Sequence, residues 1–408
     1  MANLRVLYSS NAFWAASGYG VQGRSLLPRL AKLPEIGSPE ALAMFAWYGL
    51  QGGVHNVNGH KIYPQGGDPY GNDVIEAHAK DHRANVVISL IDVWVMKDTA
   101  RKVHPAFWLP WLPIDHDPVP KTVLSALEGA YMPLTYAKWG HDMLEAAGVP
   151  NTYIPHGIEP SVFNVIEDRE RVAAFKARNF DKPGHLTVMV AANKGFPDRK
   201  AFQVQLRAWA KFAENKPDAK LYIHTEPTQM YGGVDFAALT KALGIEKKTM
   251  FPDRYKNAMG IPAEYLALVY NSADVFMGAA MAEGFGIPII EAQACGAPVI
   301  VTDFSAMPEL VRWGYAVAPA DMIWTPMNAW QAWPSAPGIT QALESLYEEW
   351  SANGNEWQME KRRQVAASIH AEYDWDTIVR DQWAPLMTRL AADWELQSPT
   401  PIEVPAYA

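Results

Sequence analysis

Two glutamates stand eight positions apart in the stretch Glu283-Gly284-Phe285-Gly286-Ile287-Pro288-Ile289-Ile290-Glu291. Pro288 suits the first turn of a helix, where its missing N–H costs nothing. Gly296 suits the position just past the helix end, and Ala297-Pro298 closes the element. The apolar run Val299-Ile300-Val301 then reads as a buried strand. A glycine turn therefore aims backbone N–H groups at a helix N-terminus, which favours an anion. One carboxylate lies on each side of that anion site. The chemistry this suits is binding of a phosphorylated ligand that also carries hydroxyls, such as a sugar nucleotide.

Other residue groups could share that chemistry. Ser17-Gly18-Tyr19-Gly20 follows a strand-like run and precedes a helical one, and its glycines allow backbone to approach a phosphate or sugar. Ile114-Asp115-His116-Asp117-Pro118 ends another strand-like run. The Asp-x-Asp pairing of Asp115 and Asp117 would also fit a divalent metal. The same pattern recurs in Asp374-Trp375-Asp376, which shows how cheaply it arises. Trp108 and Trp111 flank Pro110; aromatic faces suit sugar rings, but buried tryptophan is the commoner use.

These groups need elements to hold them. The 408 residues are too many for one core and imply two domains. In the first half, strands are expected at 5–10, 41–48, 86–93, 107–114, 131–136 and 152–155. Helices are expected there at 21–33, 121–127 and 140–147. The second half repeats the alternation. Its strands fall at 186–191, 220–224, 275–277 and 298–302, and its helices at 201–215, 236–243, 263–271 and 287–294. Apolar strands alternating with amphipathic helices imply parallel α/β sheets, which bind ligands at the carboxyl ends of their strands. The polar segment 167–184, ending in Lys182-Pro183-Gly184, marks the boundary between the halves. The proline-rich tail from Ser398 to Ala408 is expected to be loosely held.

Composition narrows the function. The net charge of −9, with no basic run of five or more, counts against a stable duplex nucleic-acid partner. It also weakens docking on a membrane through a basic helix; Arg24, Arg29 and Lys32 read as a solvated helix face. No apolar run reaches the length of a membrane span; the longest, 86–96, is broken by Asp92. The first residues run directly into a strand with no signal-peptide architecture, and the one cysteine, Cys295, reads as a small core residue. A cytoplasmic location is the expectation.

With its embedded Gly-Phe-Gly, the Ile-Pro start and the exit Cys295-Gly296-Ala297-Pro298, the segment from Glu283 resembles the Glu-x7-Glu motif of family 4 retaining glycosyltransferases. The segment Asp303–Leu310 is similar to the stretch just beyond that motif in the family. Tyr153–Phe163 resembles the segment that closes its first domain, with His156 and Glu159 in place of the usual asparagine and aspartate. Glu264–Val275 resembles the lead into the glutamate motif. The resemblance implies the GT-B fold: an N-terminal Rossmann-like domain at 1–178 on the acceptor side, and a donor-side Rossmann-like domain at 179–372. The segment 373–408 would supply a helix returning to the first domain.

It implies a sugar transfer from a nucleoside-diphosphate sugar with retention, without metal or other cofactor. Glu291 would hold the ribose hydroxyls and Glu283 the donor sugar, with Gly284, Phe285 and Gly286 fixing that sugar. Lys200 falls on the family's diphosphate lysine and Asn193 near its arginine; Arg199 or Lys194 would supply the missing charge, and an arginine at position 193 would be tolerated or even raise affinity. Gly18 and Gly20 match the glycine loop after the first strand. His116 is the candidate for the histidine that meets the donor sugar, with Asp115 and Asp117 as alternatives in register. The sequence leaves open the donor's base and sugar, the acceptor (glycan, protein, small metabolite or modified nucleobase) and the oligomeric state. Two other readings are a non-catalytic sugar-nucleotide-binding module and a GT-B sugar-nucleotide epimerase.

Overall fold

The computed structural model describes residues 3–195 and 198–396. The chain divides into two compact units: Met1–Gly157 with Pro326–Ala329 and Tyr373–Ala408, and Ile158–Thr325 with Trp330–Glu372.

The first unit is built on an eight-stranded sheet. Its strands are β1 (Val6–Asn11), β2 (Leu42–Tyr48), β3 (His55–Val57), β4 (His60–Tyr63), β5 (Val86–Leu90), β6 (Phe107–Leu112), β7 (Leu134–Thr135) and β8 (Thr152–Tyr153). Their order across the sheet is β3-β4-β2-β1-β5-β6-β7-β8. All neighbours run parallel except β3 and β4. β1, β5 and β6 are buried at every position, as expected of strands covered on both faces. Trp108 and Trp111 belong to this core: their indole N–H groups donate to Ser89 Oγ (3.0 Å) and to the Ile154 carbonyl (2.9 Å), so neither offers a face to a sugar.

The second unit carries β9 (His185–Val190), β10 (Ala219–His224), β11 (Thr249–Met250), β12 (Val275–Met277), β13 (Val299–Thr302) and β14 (Gly314–Val317) in the order β11-β10-β9-β12-β13-β14, all parallel. An antiparallel hairpin, β15 (Asp321–Trp324) and β16 (Trp330–Trp333), comes next. The helix Phe202–Ala213 buries Phe202, Val204, Leu206, Trp209 and Phe212 against this sheet.

The C-terminal helices pack onto the first unit. Trp383 meets Trp111 edge-on at 5.2 Å, Trp394 meets Phe107 at 5.2 Å, and Arg29 pairs with Asp376 at 2.6 Å. Asp374 caps its helix by accepting from the Asp376 N–H. The second Asp-x-Asp is thus a helix cap and an ion pair.

Several elements differ from expectation. The first helix spans Gly18–Leu30, starting three residues early because Ser17 caps it. The strand expected at 131–136 is reduced to Leu134–Thr135. The β3–β4 hairpin was not anticipated, although Asn58 and Gly59, both with positive φ, are the residues a tight hairpin turn demands. The expected boundary at 178–179 coincides with the end of the helix Arg169–Asn179, which lies in the second unit. Asn271 ties the approach to that helix to its own, accepting from the Ile166 N–H and donating to the Asn164 carbonyl, both at 2.9 Å. The tail at 398–408 lies outside the described residues. Among those residues, no helix is long and apolar enough to cross a membrane.

Candidate functional site

Among the parallel strands of each sheet the order reverses once, between β1 and β5 and between β9 and β12. Such switch points open a crevice at the carboxyl ends of the strands. In the second unit the loops leaving β9 and β12 carry most of the residues singled out above.

The loop after β12 delivers Glu283. Lys200 Nζ forms an ion pair with Glu283 Oε1, and Arg199 Nη1 lies 3.5 Å from Oε2 while also donating to the Ala282 carbonyl. The predicted cations and the predicted carboxylate therefore meet across the switch point. Several residues hold them there. Ala201 takes a left-handed conformation (φ +51°) and turns the chain into the helix Phe202–Ala213. Asp198 caps that helix through the Phe202 N–H, and burial raises its carboxyl above the usual range. Gln205, fully buried, donates to the Lys200 carbonyl (2.7 Å) and accepts from the Ala279 N–H (2.9 Å). The Arg199 carbonyl accepts from the Met281 N–H at 2.9 Å. Ser305 accepts from the Glu283 N–H at 3.0 Å from a left-handed backbone position.

Past Glu283 the chain turns through Gly284 and Phe285, whose ring is buried. Gly286 has φ +108°, and a Cβ there would sit 2.6 Å from Ile289 Cδ1, so only glycine fits. The helix Ile287–Ala294 begins at once, with proline in its first turn. It ends as the sequence signals: the Gly296 and Ala297 N–H groups close on the Gln293 and Ala292 carbonyls. Glu291 lies inside this helix, 7% exposed, accepting from the Tyr270 hydroxyl at 3.0 Å. Burial raises its carboxyl to about 7, and the tyrosine bond offsets this in part.

Two neighbours depart from the expected pattern. Asn193 is buried, with Nδ2 facing the Glu226, Thr228 and Val234 carbonyls (2.8–3.1 Å) and Oδ1 accepting from the Val234 N–H (2.7 Å). Its side chain closes the loop after β10. Lys194 is exposed, next to Asn193 on the loop after β9.

In the first unit, Gly18 and Gly20 open the first helix at the β1–β5 switch point. The Gly20 N–H is taken by Ser17 Oγ (3.1 Å), and a Cβ there would lie 2.6 Å from the Ala15 carbonyl. Glycine is needed there for close packing of the turn. Tyr19 reaches across the crevice, its hydroxyl 3.5 Å from Asp92 Oδ2 beyond β5. His116 follows β6, one strand away, with Nδ1 2.7 Å from Asp115 Oδ1, while Asp117 is exposed. That carboxylate, as an acceptor, favours the tautomer with its proton on Nδ1 and orients the ring. His156 is a core residue, stacked on Tyr136 at 4.1 Å, and burial lowers it to about 3.

Sequence reasoning missed Gln205, Ser305, Tyr270 and the Tyr19–Asp92 pair. A glutamine on the apolar stripe of an amphipathic helix was a readable sign for Gln205. The other contacts are tertiary and left no local pattern.

Comparison with known proteins places this geometry. The fold superimposes on sucrose-phosphate synthase from Thermosynechococcus elongatus with a TM-score of 0.71 at 18% identity, covering 97% of this chain and all of that one. An Anabaena protein, HepE, solved with UDP and glucose, superimposes at 0.66 with 12% identity over 94% of this chain and all of that one. The chain thus has the GT-B fold. Residues 186–329 match the family Glycosyl transferases group 1. Within that region lie the Lys200–Glu283 pair and Glu291, and it is this segment of the chain that is similar to the family.

Among curated relatives, O-antigen chain mannosyltransferase B of Escherichia coli is 32% identical over 97 residues, 22% of this chain and 26% of that protein. D-inositol 3-phosphate glycosyltransferase of Mycobacterium sp. (strain KMS) is 33% identical over 125 residues, 30% of this chain and 26% of that protein. The matched region spans about a quarter of the length of these relatives.

Proposed function

We propose that the protein transfers a sugar from a nucleoside-diphosphate sugar to an acceptor hydroxyl with retention of configuration. The observation that carries this reading is the Lys200–Glu283–Arg199 cluster at the β9–β12 switch point, inside the segment that matches the family. In this reading Glu291 holds the ribose and Glu283 meets hydroxyls of the donor sugar. The Gly284, Phe285 and Gly286 backbone fixes that sugar beside the helix N-terminus. Lys200 and Arg199 take the diphosphate. When the bond from the anomeric carbon to the diphosphate oxygen breaks, negative charge grows on the phosphate, and cations already in place stabilise it without reorganisation. The acceptor oxygen bonds the same face of the carbon, and its proton passes to the leaving phosphate. His116 would meet the donor sugar. Without a donor, Glu283 pairs with both cations, leaving one net positive charge, and holds them in position; donor binding exchanges part of that pairing for phosphate.

The nucleotides bound to HepE make uridine donors the first to test. The experiment is hydrolysis and thermal stabilisation with UDP-, GDP- and ADP-sugars. Donor hydrolysis that falls about a hundredfold in Glu283→Gln supports transfer chemistry. Binding without turnover for every donor and acceptor tried would replace it with the non-catalytic module.

A further inference from the structure

We propose that a groove lying wholly on the first unit is a saccharide-binding subsite that takes a neutral oligosaccharide and holds it by contacts outside the reacting centre. The groove runs between the helices Thr99–Val103 and Lys121–Ala126 and has a volume of about 940 Å³, within the usual size of ligand sites of about 300–1,000 Å³.

Three observations converge on a carbohydrate. Trp94, which lines the groove, is 49% exposed although Trp108 and Trp111 of the same unit are buried. An indole face in water suits the C–H face of a pyranose. Thr99 lines the groove, is 2% exposed, and its hydroxyl has no hydrogen-bond partner among the described residues. A buried hydroxyl in that state is costly, and a ligand hydroxyl is a partner of the right kind. The charges are mixed and nearly balanced. Lys97, Arg101 and Lys121 line the groove together with Asp98 and Glu128, and Arg101 is already within 3.4 Å of Asp98. A polyanion would want a clear cationic excess, whereas interleaved donors and acceptors suit neutral hydroxyls. Ser125 adds a further exposed hydroxyl to the wall.

The subsite goes beyond the proposed transfer, and its test needs no turnover. Maltohexaose, an α-linked mannohexaose and the acidic hyaluronan hexasaccharide are titrated into the full chain by saturation-transfer NMR and calorimetry. A neutral hexasaccharide is expected to bind with a Kd of about 1 mM, typical of a site with a single aromatic platform. Trp94→Ala should weaken it about tenfold or more, and Ser125→Trp should block it by filling the groove. Both replace exposed residues, so melting temperatures should match wild type. Donor hydrolysis, where wild type shows it, should be unchanged in both variants. The proposal is overturned if neither neutral hexasaccharide binds at about 10 mM, if both variants bind like wild type, or if the acidic hexasaccharide binds more tightly.

Discussion

Glu291→Gln should stabilise the unliganded protein at pH 8 while weakening its hold on nucleotide. Burial raises the Glu291 carboxyl from 4.5 to about 7. A carboxylate with a raised folded pKa keeps its proton in the folded state between about pH 4.5 and 7, where the unfolded chain has already released it. Stability is therefore lost as the pH rises through that window. A shift of about 2.5 units corresponds to roughly 3 kcal/mol above pH 7. Glutamine removes that penalty but adds an amide N–H₂ in a poorly hydrated place, costing about 1 kcal/mol. The net gain is about 2 kcal/mol, or about 4–8 °C in Tm for a unit of about 200 residues. The Tyr270 hydroxyl can still donate to the glutamine oxygen. Melts of wild type and variant at half-unit steps from pH 5 to 8 should show curves that coincide near pH 5 and separate above 6. Nucleotide should bind the variant about tenfold more weakly, because a charged acceptor makes the stronger bond to ribose hydroxyls. A Tm difference that stays constant across the range, or a variant less stable at pH 8, would refute the reasoning.

The same geometry sets other outcomes. Lys200→Ala should cut turnover about a hundredfold and weaken donor binding less, since charge grows at the transition state; parallel kinetics of Arg199→Ala and Lys194→Ala check the register. If Lys194→Ala alone is inactive, the diphosphate cation is misassigned. Asn193→Arg should destabilise by about 3 kcal/mol in a denaturant melt, since it removes the bonds that close the loop after β10, and it should not improve donor affinity. Activity should survive EDTA; loss restored by manganese would make Asp115 and Asp117 metal ligands.

What the sequence disclosed and what it hid have one physical origin. The turn and helix from Glu283 to Gly296 were legible because their determinants are local: a proline in the first turn, a glycine at a positive φ, a glycine past the end. The alternating strands were legible because burial on both faces forces apolar runs. The resemblance sets Asn193 near the family's arginine by register alone, whereas its hydrogen-bond partners, Glu226, Thr228 and Val234, come from the next strand's loop and are invisible locally. The glycine at position 20 was legible as a requirement, but its cause is the Ala15 carbonyl packed against it. Spacing reports the backbone's needs well and a side chain's destination poorly.

The switch point explains why the cations and Glu283 meet at all. Lys200 and Glu283 are 83 positions apart, and no local pattern links them. Each follows a strand, β9 or β12, and those strands are neighbours because the order reverses there. Once two loops are known to leave adjacent parallel strands at a reversal, their chemistry must share one crevice. The supports have the same origin. Gln205 ties the Lys200 carbonyl to the N–H just past β12, so it fixes the distance between the two loops directly. The site's geometry is therefore set less by the charged residues than by the neutral hydrogen bonds behind them. Those bonds are independent of the charged groups, and fixed neutral supports of this kind are what a preorganised charge site requires.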